Sequence, residues 1–215
     1  MFVEDLIGNT PLVEIRHINK NPNVKIYCKL EGQNPGGSVK DRAAYGMISE
    51  ALKRGDINKG DKLVEATSGN TGIALAMISR LLGLEMNLIM PDSATAERVK
   101  SMEAYGAKVI LTPAEQTIEY SRKVAEEMAE SGEYFMLNQF GNADNYKAHY
   151  KTTGPEIFKD TDGKITHFVS AMGTTGTIMG VSKYLKERNP KIEIVGTQPT
   201  DGSKIPGIRR WSPEM

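Results

Sequence analysis

The sequence predicts an α/β fold built from parallel βαβ units. Short apolar runs of strand length alternate along the chain with stretches whose apolar residues recur at helical spacing. That alternation argues for a parallel sheet with helices on both faces. No Pro/Gly-rich linker, low-complexity tract or internal repeat interrupts it. At 215 residues the chain exceeds what one compact domain typically needs, so one large or two small α/β domains are expected. A second domain must then arise from chain crossing.

Buried strands are expected at Lys62–Ala66, Met86–Met90, Lys108–Leu111, Phe135–Asn138, Thr166–Met172 and Ile192–Thr197. Before them, Ala43, Ala44, Met47, Ile48, Ala51 and Leu52 fall on one helical face, and Gly55 supplies a stop. Helices follow at Gly72–Leu82 and Thr95–Tyr105. Thr112-Pro113-Ala114-Glu115 reads as a helix start, with threonine as N-cap, proline at the first helical position and glutamate at the third. That helix runs through Val124, Met128 and Ala129 to a stop at Gly132. One further helix covers Ala143–Lys159, and the last runs from Gly176 to about Arg188.

Composition excludes several classes of function. Lys plus Arg (27) balances Asp plus Glu (27), so no long-range positive field holds nucleic acid or anionic lipid. Cys28 is the single cysteine, which rules out an internal disulfide and fits a reducing compartment. It lies in the apolar stretch Val24–Cys28 and reads as a buried structural thiol. His17, His149 and His167 have no partner at metal-ligand spacing, so no metal site is expected. The N-terminus carries Glu4 and Asp5 where a signal peptide carries bases, and no apolar run approaches the ~18–20 residues of a membrane span. A cytoplasmic protein is the expectation.

Ligands of parallel α/β sheets bind in the strand-to-helix loops, which narrows the search to three segments. Ser170–Thr177 follows a strand and opens a helix; its glycines and threonines can form an anion cup at a helix N-terminus. It matches neither the Walker A loop nor the dinucleotide glycine pattern, and a turn serving only close packing remains the alternative. Thr67-Ser68-Gly69-Asn70-Thr71-Gly72 is dense in small polar residues and glycine, which suits wrapping a carboxylate, although Ser, Thr and Asn also serve as N-caps. Gly32–Arg42 brings a turn-rich stretch into Lys40 just before a helix. A lysine at that end is electrostatically misplaced, which favours the neutral, nucleophilic amine; burial acts in the same direction. A solvated surface lysine is the alternative. Asp41 and Arg42 read as helix-starting residues that pair with neighbours.

Those three loops, in that order, resemble the fold-type II pyridoxal-phosphate enzymes, specifically the cysteine synthase (O-acetylserine sulfhydrylase) family. Ile7–Val13 is similar to the family's N-terminal signature, Asn34–Arg42 to its lysine motif and Thr67–Gly72 to its asparagine loop. Gly173-Thr174-Thr175-Gly176-Thr177 and Ile205–Trp211 are similar to the B-type branch. The resemblance implies a tryptophan synthase β-like fold of two parallel-sheet α/β domains, with pyridoxal 5′-phosphate in the cleft. Residues 34–143 would form the smaller domain, and residues 1–33 plus 144–215 the larger.

The resemblance also implies roles. Lys40 is catalytic and forms the Schiff base with the cofactor. Asn70 bonds the cofactor's phenolic oxygen, and Gly173, Thr174, Thr175, Gly176 and Thr177 hold its phosphate. Thr67, Ser68, Gly69, Asn70, Thr71 and Gln139 receive the amino acid's carboxylate. Arg209 or Arg210 suits thiosulfate, since guanidinium groups bind oxyanions well. The implied reaction is β-replacement of O-acetyl-L-serine by sulfide or thiosulfate in a homodimer. Threonine dehydratase and cystathionine β-synthase share the lysine and glycine-loop logic, and a catalytically silent binding protein that keeps the fold is a further alternative. Family members continue past the position of Met215, with more of the larger domain and a serine at the pyridine nitrogen. Without those parts, exposed apolar surface and an unpaired sheet edge are expected.

Overall fold

The structure, a computed structural model, describes residues 1–203 and 205–210; Trp211 of the late motif lies outside the described residues. In chain order the elements are β1 (Leu12–Glu14), β2 (Tyr27–Lys29), α1 (Lys40–Arg54), β3 (Lys62–Ala66), α2 (Asn70–Leu82), β4 (Glu85–Pro91), α3 (Ala96–Ala104) and β5 (Lys108–Thr112). They continue with α4 (Thr117–Glu130), β6 (Tyr134–Met136), α5 (Ala143–Lys151), α6 (Thr153–Asp160), β7 (His167–Ala171), α7 (Gly176–Arg188) and β8 (Glu193–Thr197). The described residues divide into two compact units, one drawn from Met1–Val39 and Tyr146–Met215, the other Lys40–Asn145. No helix among the described residues is long and apolar enough to cross a membrane.

The Lys40–Asn145 unit holds a four-stranded, all-parallel sheet in the order β5-β4-β3-β6. Residues alternate between its faces. Val64, Ile89 and Ile110 meet α4 through Ala125, Val124 and Met128. Met86 and Leu88 point the other way, where α2 packs on β4 and the Ser79 hydroxyl reaches the Met86 sulfur. Leu63, Val64, Leu75, Ile78, Leu88, Ile89 and Met90 are fully buried. α1 buries Ala43, Ala44, Met47, Ile48 and Ala51, packs along α2, and stops at Gly55, whose φ of 77° is left-handed.

Three expectations fail in this unit. β5 was expected to be buried, yet Lys108 and Leu111 in it are exposed. The capping box at Thr112–Glu115 does not form. Thr112 is instead the last residue of β5, where its buried hydroxyl meets that of Ser121 at 2.7 Å. A short 3-10 turn (Ala114–Gln116) intervenes, and α4 begins at Thr117. A hydroxyl committed to a buried partner cannot also cap a helix. The strand expected at Phe135–Asn138 is shifted to Tyr134–Met136, because Asn138 adopts a left-handed φ of 53° that breaks the ladder.

The other unit contains an antiparallel pair, β1–β2, and a parallel pair, β7–β8. Its core joins Ile157, Val181, Leu185 and Ile192 to Phe158, Phe168 and Ile194. Helix approach is close. A Cβ on Gly180 would come within 2.2 Å of the Tyr146 carbonyl oxygen, and one on Gly154 within 2.7 Å of the Tyr184 Cβ. Lys29 ties β2 to α6 through Glu156 at 2.8 Å. The single helix expected over Ala143–Lys159 is broken between α5 and α6, at Thr152. Pro155 accounts for the break: in a continuous helix it would have no N–H for the Lys151 carbonyl, and its ring would clash with that carbonyl.

β7 and β8 were expected to be buried, yet only one face is. Phe168 and Ile194 turn toward the core, whereas Val169 is 60% exposed and Val195 41%. Cys28 is likewise exposed, not buried. It pairs with Val13 in a two-stranded ladder whose outward positions stay open to solvent.

Candidate functional site

In the Lys40–Asn145 unit, Lys40 is the first residue of α1 and is partly buried. Burial lowers its amine from the ordinary lysine range, which raises the fraction of neutral, nucleophilic nitrogen at a given pH. Asp41 and Arg42 beside it are buried.

The Thr67–Gly72 loop joins β3 to α2. Gly69 occupies the N-cap position, so the first turn of α2 is not capped by any side chain of the loop. The N-cap alternative for these residues therefore fails. Thr67 and Thr71 are buried, Ser68 and Gly69 partly so, and Asn70 is exposed at the head of α2. Gly72 allows close packing, since a Cβ there would fall 2.7 Å from the end of Met102. The Thr71 hydroxyl donates to Gln139 Oε1 at 2.9 Å in a buried setting. Gln139 is itself held by Asn145, whose amide donates to the Gln139 carbonyl at 2.8 Å. Two segments separated by 68 residues in sequence thus meet in one polar cluster.

In the other unit, Gly173–Thr177 forms the β7-to-α7 turn. Thr175 sits at the N-cap with a left-handed φ of 64°; its hydroxyl accepts from no helix N–H and is placed to donate to the Thr174 carbonyl and the Met179 sulfur. α7 spans 13 residues, so its first N–H groups carry a substantial helix dipole. The late segment packs on this loop. The Arg209 N–H donates to the Met172 carbonyl at 2.7 Å, and a Cβ on Gly173 would reach 2.4 Å from the Gly207 carbonyl oxygen. Gly173 is therefore required by close backbone approach. The Arg209 side chain is exposed, and Arg210 pairs with Asp201.

Two residues near these loops were not singled out from sequence. His149 is buried, with Nδ1 2.9 Å from the Thr153 hydroxyl and Nε2 3.4 Å from the Thr177 hydroxyl. Nothing in the pattern around it distinguishes it from any other helical histidine. Glu65 is buried in β3, and burial raises its carboxyl from 4.5 to about 7, opposed by hydrogen bonds from the Asn138 and Gln139 backbone and by Arg122. A signal was present: an acid inside the otherwise apolar run Leu63–Ala66 needs a partner.

The residues fit pyridoxal 5′-phosphate on their own chemistry. A lysine amine lowered by burial suits an aldehyde, and a glycine-lined turn opening an uncapped helix suits a phosphate. Comparison with known proteins agrees. The family model described as "Pyridoxal-phosphate dependent enzyme" matches residues 3–213. Cysteine synthase B of Salmonella typhimurium is 58% identical over 212 residues, covering 99% of this chain and 70% of that one. Among solved structures, O-ureido-L-serine synthase superposes with a TM-score of 0.92 at 36% identity, covering 98% of this chain and 70% of that one. Cysteine synthase from Entamoeba histolytica gives 0.88 at 40% identity, covering 92% and 60%. The chain belongs to the cysteine synthase family of fold-type II pyridoxal-phosphate-dependent enzymes.

Proposed function

We propose that the chain catalyses β-replacement on O-acetyl-L-serine, giving L-cysteine and acetate with sulfide, or S-sulfocysteine with thiosulfate. The observation that carries this reading is Lys40: a lysine at the head of α1 whose amine is driven toward the neutral form by burial. The 58% identity to a cysteine synthase B supports the choice of reaction.

In this reading Lys40 carries the cofactor on its amine, and Asn70 bonds the phenolic oxygen. Gly173, Thr174, Thr175, Gly176 and Thr177 hold the phosphate with the N–H groups that open α7. Thr67, Ser68, Gly69, Asn70, Thr71 and Gln139 receive the substrate carboxylate. Because Gln139 Oε1 accepts from Thr71, the group it would offer that carboxylate is its amide nitrogen, a donor. The bound cofactor supplies an electron sink for the pair left at the substrate's Cα. Freed when the substrate's amine replaces it, Lys40 Nζ would take the proton from Cα as acetate leaves Cβ, and return it after sulfur has bonded to Cβ. Only a neutral amine can accept that proton, so the lowered basicity of Lys40 serves the step directly. Arg209 is preferred over Arg210 because its N–H meets the Met172 carbonyl beside the Gly173–Thr177 turn, and its guanidinium would suit the second negative charge of thiosulfate. A homodimer follows from the family resemblance, and a cytoplasmic location from the single cysteine.

Incubation of the cofactor-loaded protein with O-acetyl-L-serine and sulfide should yield L-cysteine, and L-threonine should yield no 2-oxo acid. Formation of the 2-oxo acid without cysteine would replace this reading with a dehydratase. Arg209→Ala should reduce thiosulfate use more than sulfide use, and equal losses would remove Arg209 from the site.

A further inference from the structure

β3 does two things at once. Its C-terminal end delivers the Thr67–Gly72 loop, and two residues earlier it presents Glu65. The Glu65 carboxylate accepts from the Asn138 N–H at 2.9 Å, and the Gln139 N–H also donates to it. These amides belong to the turn after β6 that carries Gln139 to the Thr71 hydroxyl. Asn138 holds a left-handed φ of 53°, a conformation that asparagine tolerates but does not prefer. Asn142 and Asn145 pin the rest of the turn through the Leu137 and Gln139 carbonyls. Glu65 is distinct among these ties, because it connects the turn to the strand that delivers the opposing loop. We propose that Glu65 is a positioning residue for the amino-acid site: its buried carboxylate fixes the Asn138–Gln139 turn, and through it the register between Gln139 and Thr71.

The chemistry requires a carboxylate. A carboxylate has acceptor capacity on both oxygens, whereas glutamine offers one acceptor and turns an NH2 donor toward a second N–H. Glu65→Gln therefore keeps the shape and opposes one of the two amides. An apolar residue would satisfy the sheet core and leave both amides unmet. Burial disfavours the ionised form, while the Asn138 and Gln139 N–H groups, and after them Arg122 on α4, favour it.

The role in substrate binding rests on Gln139 acting as proposed above; the hold on the turn does not. Two measurements separate them. In the cofactor-free protein, Glu65→Gln should speed amide exchange at Asn138 and Gln139 by roughly tenfold to a hundredfold, the loss expected for a hydrogen bond to a charged group. Exchange at Leu63 and Val64 should be unchanged. Unaltered exchange at 138 and 139 would overturn the proposal. If that variant does not fold, Glu65→Asp serves: it keeps the charge one methylene short of the turn, exchange at both amides should again rise, and unaltered exchange overturns the proposal. In the cofactor-loaded protein, Glu65→Gln should weaken L-serine binding, read from the cofactor's absorption, by roughly tenfold. In a Gln139→Ala background the same change should add little, because both act through one contact. Full additivity would show that Glu65 acts elsewhere. If Gln139→Ala leaves L-serine affinity intact while exchange responds to Glu65, the error lies in the assignment of Gln139 and not in the hold on the turn.

Discussion

In the Lys40–Asn145 unit, the strand that enters the Thr67–Gly72 loop lies inside a four-stranded sheet, and Leu63, Val64, Leu88 and Ile89 around it are fully buried. In the other unit, the strand that enters Gly173–Gly176 has one parallel neighbour among the described residues, and Val169 within it is 60% exposed. Both strands deliver a glycine-containing turn to the N-terminus of a 13-residue helix. The first turn is held by burial of its strand on two faces. The second is held by helix packing at Gly180 and by backbone contacts from Gly207 and Arg209. One chain thus uses two kinds of support for similar loops, and substitutions should affect them differently.

The largest expected effect is in the buried sheet. Leu88→Ala should destabilise the protein by about 2–5 kcal/mol in denaturant unfolding, as full burial leaves a cavity. A loss under about 1 kcal/mol would mean that the sheet is less tightly packed than its burial indicates. A comparable effect comes from pH. Glu65 titrates near 7 when folded and near 4.5 when unfolded, so the folded state binds more protons between those values. Its contribution is fully present below about pH 4.5 and is lost as pH rises through about 7, by up to about 3 kcal/mol. Glu65→Gln should flatten that slope, and a slope unchanged by the substitution would assign it to other groups.

Gly180→Ala should cost about 1–3 kcal/mol, because the new Cβ meets main-chain atoms that cannot swing aside. Gly32→Ala, with nothing within 4 Å of its added Cβ, is the control. The smallest effect is expected at Val169→Ala, within about 0.5 kcal/mol. A loss there as large as that of Leu88→Ala would erase the contrast between the units.

Much of this was legible in the sequence, for definite reasons. β3 was placed to the residue because a short apolar run bounded by polar loops has one reading, and α7 because Gly176 and Arg188 bracket a clear helical period. Thr112 misled because a capping box read locally cannot foresee Ser121 taking its hydroxyl nine residues on. Cys28, Val169 and Val195 misled for another reason. An apolar strand residue is buried only if a second layer covers it, and composition does not report whether one does. In the site, Lys40 and the two glycine loops were visible because their residue types are unusual for their positions. Glu65 left only the trace of an acid in an apolar run, and His149 left none. Their importance lies in partners 73 and 28 residues away, which only the folded chain brings together.

The central claim is that Lys40 carries the cofactor, and borohydride reduction of the cofactor-loaded protein followed by peptide mass mapping tests it most directly. A phosphopyridoxyl group on the peptide containing Lys40, absent from Lys40→Ala, is the expected result. The same group on a different lysine, or on none, would contradict the account.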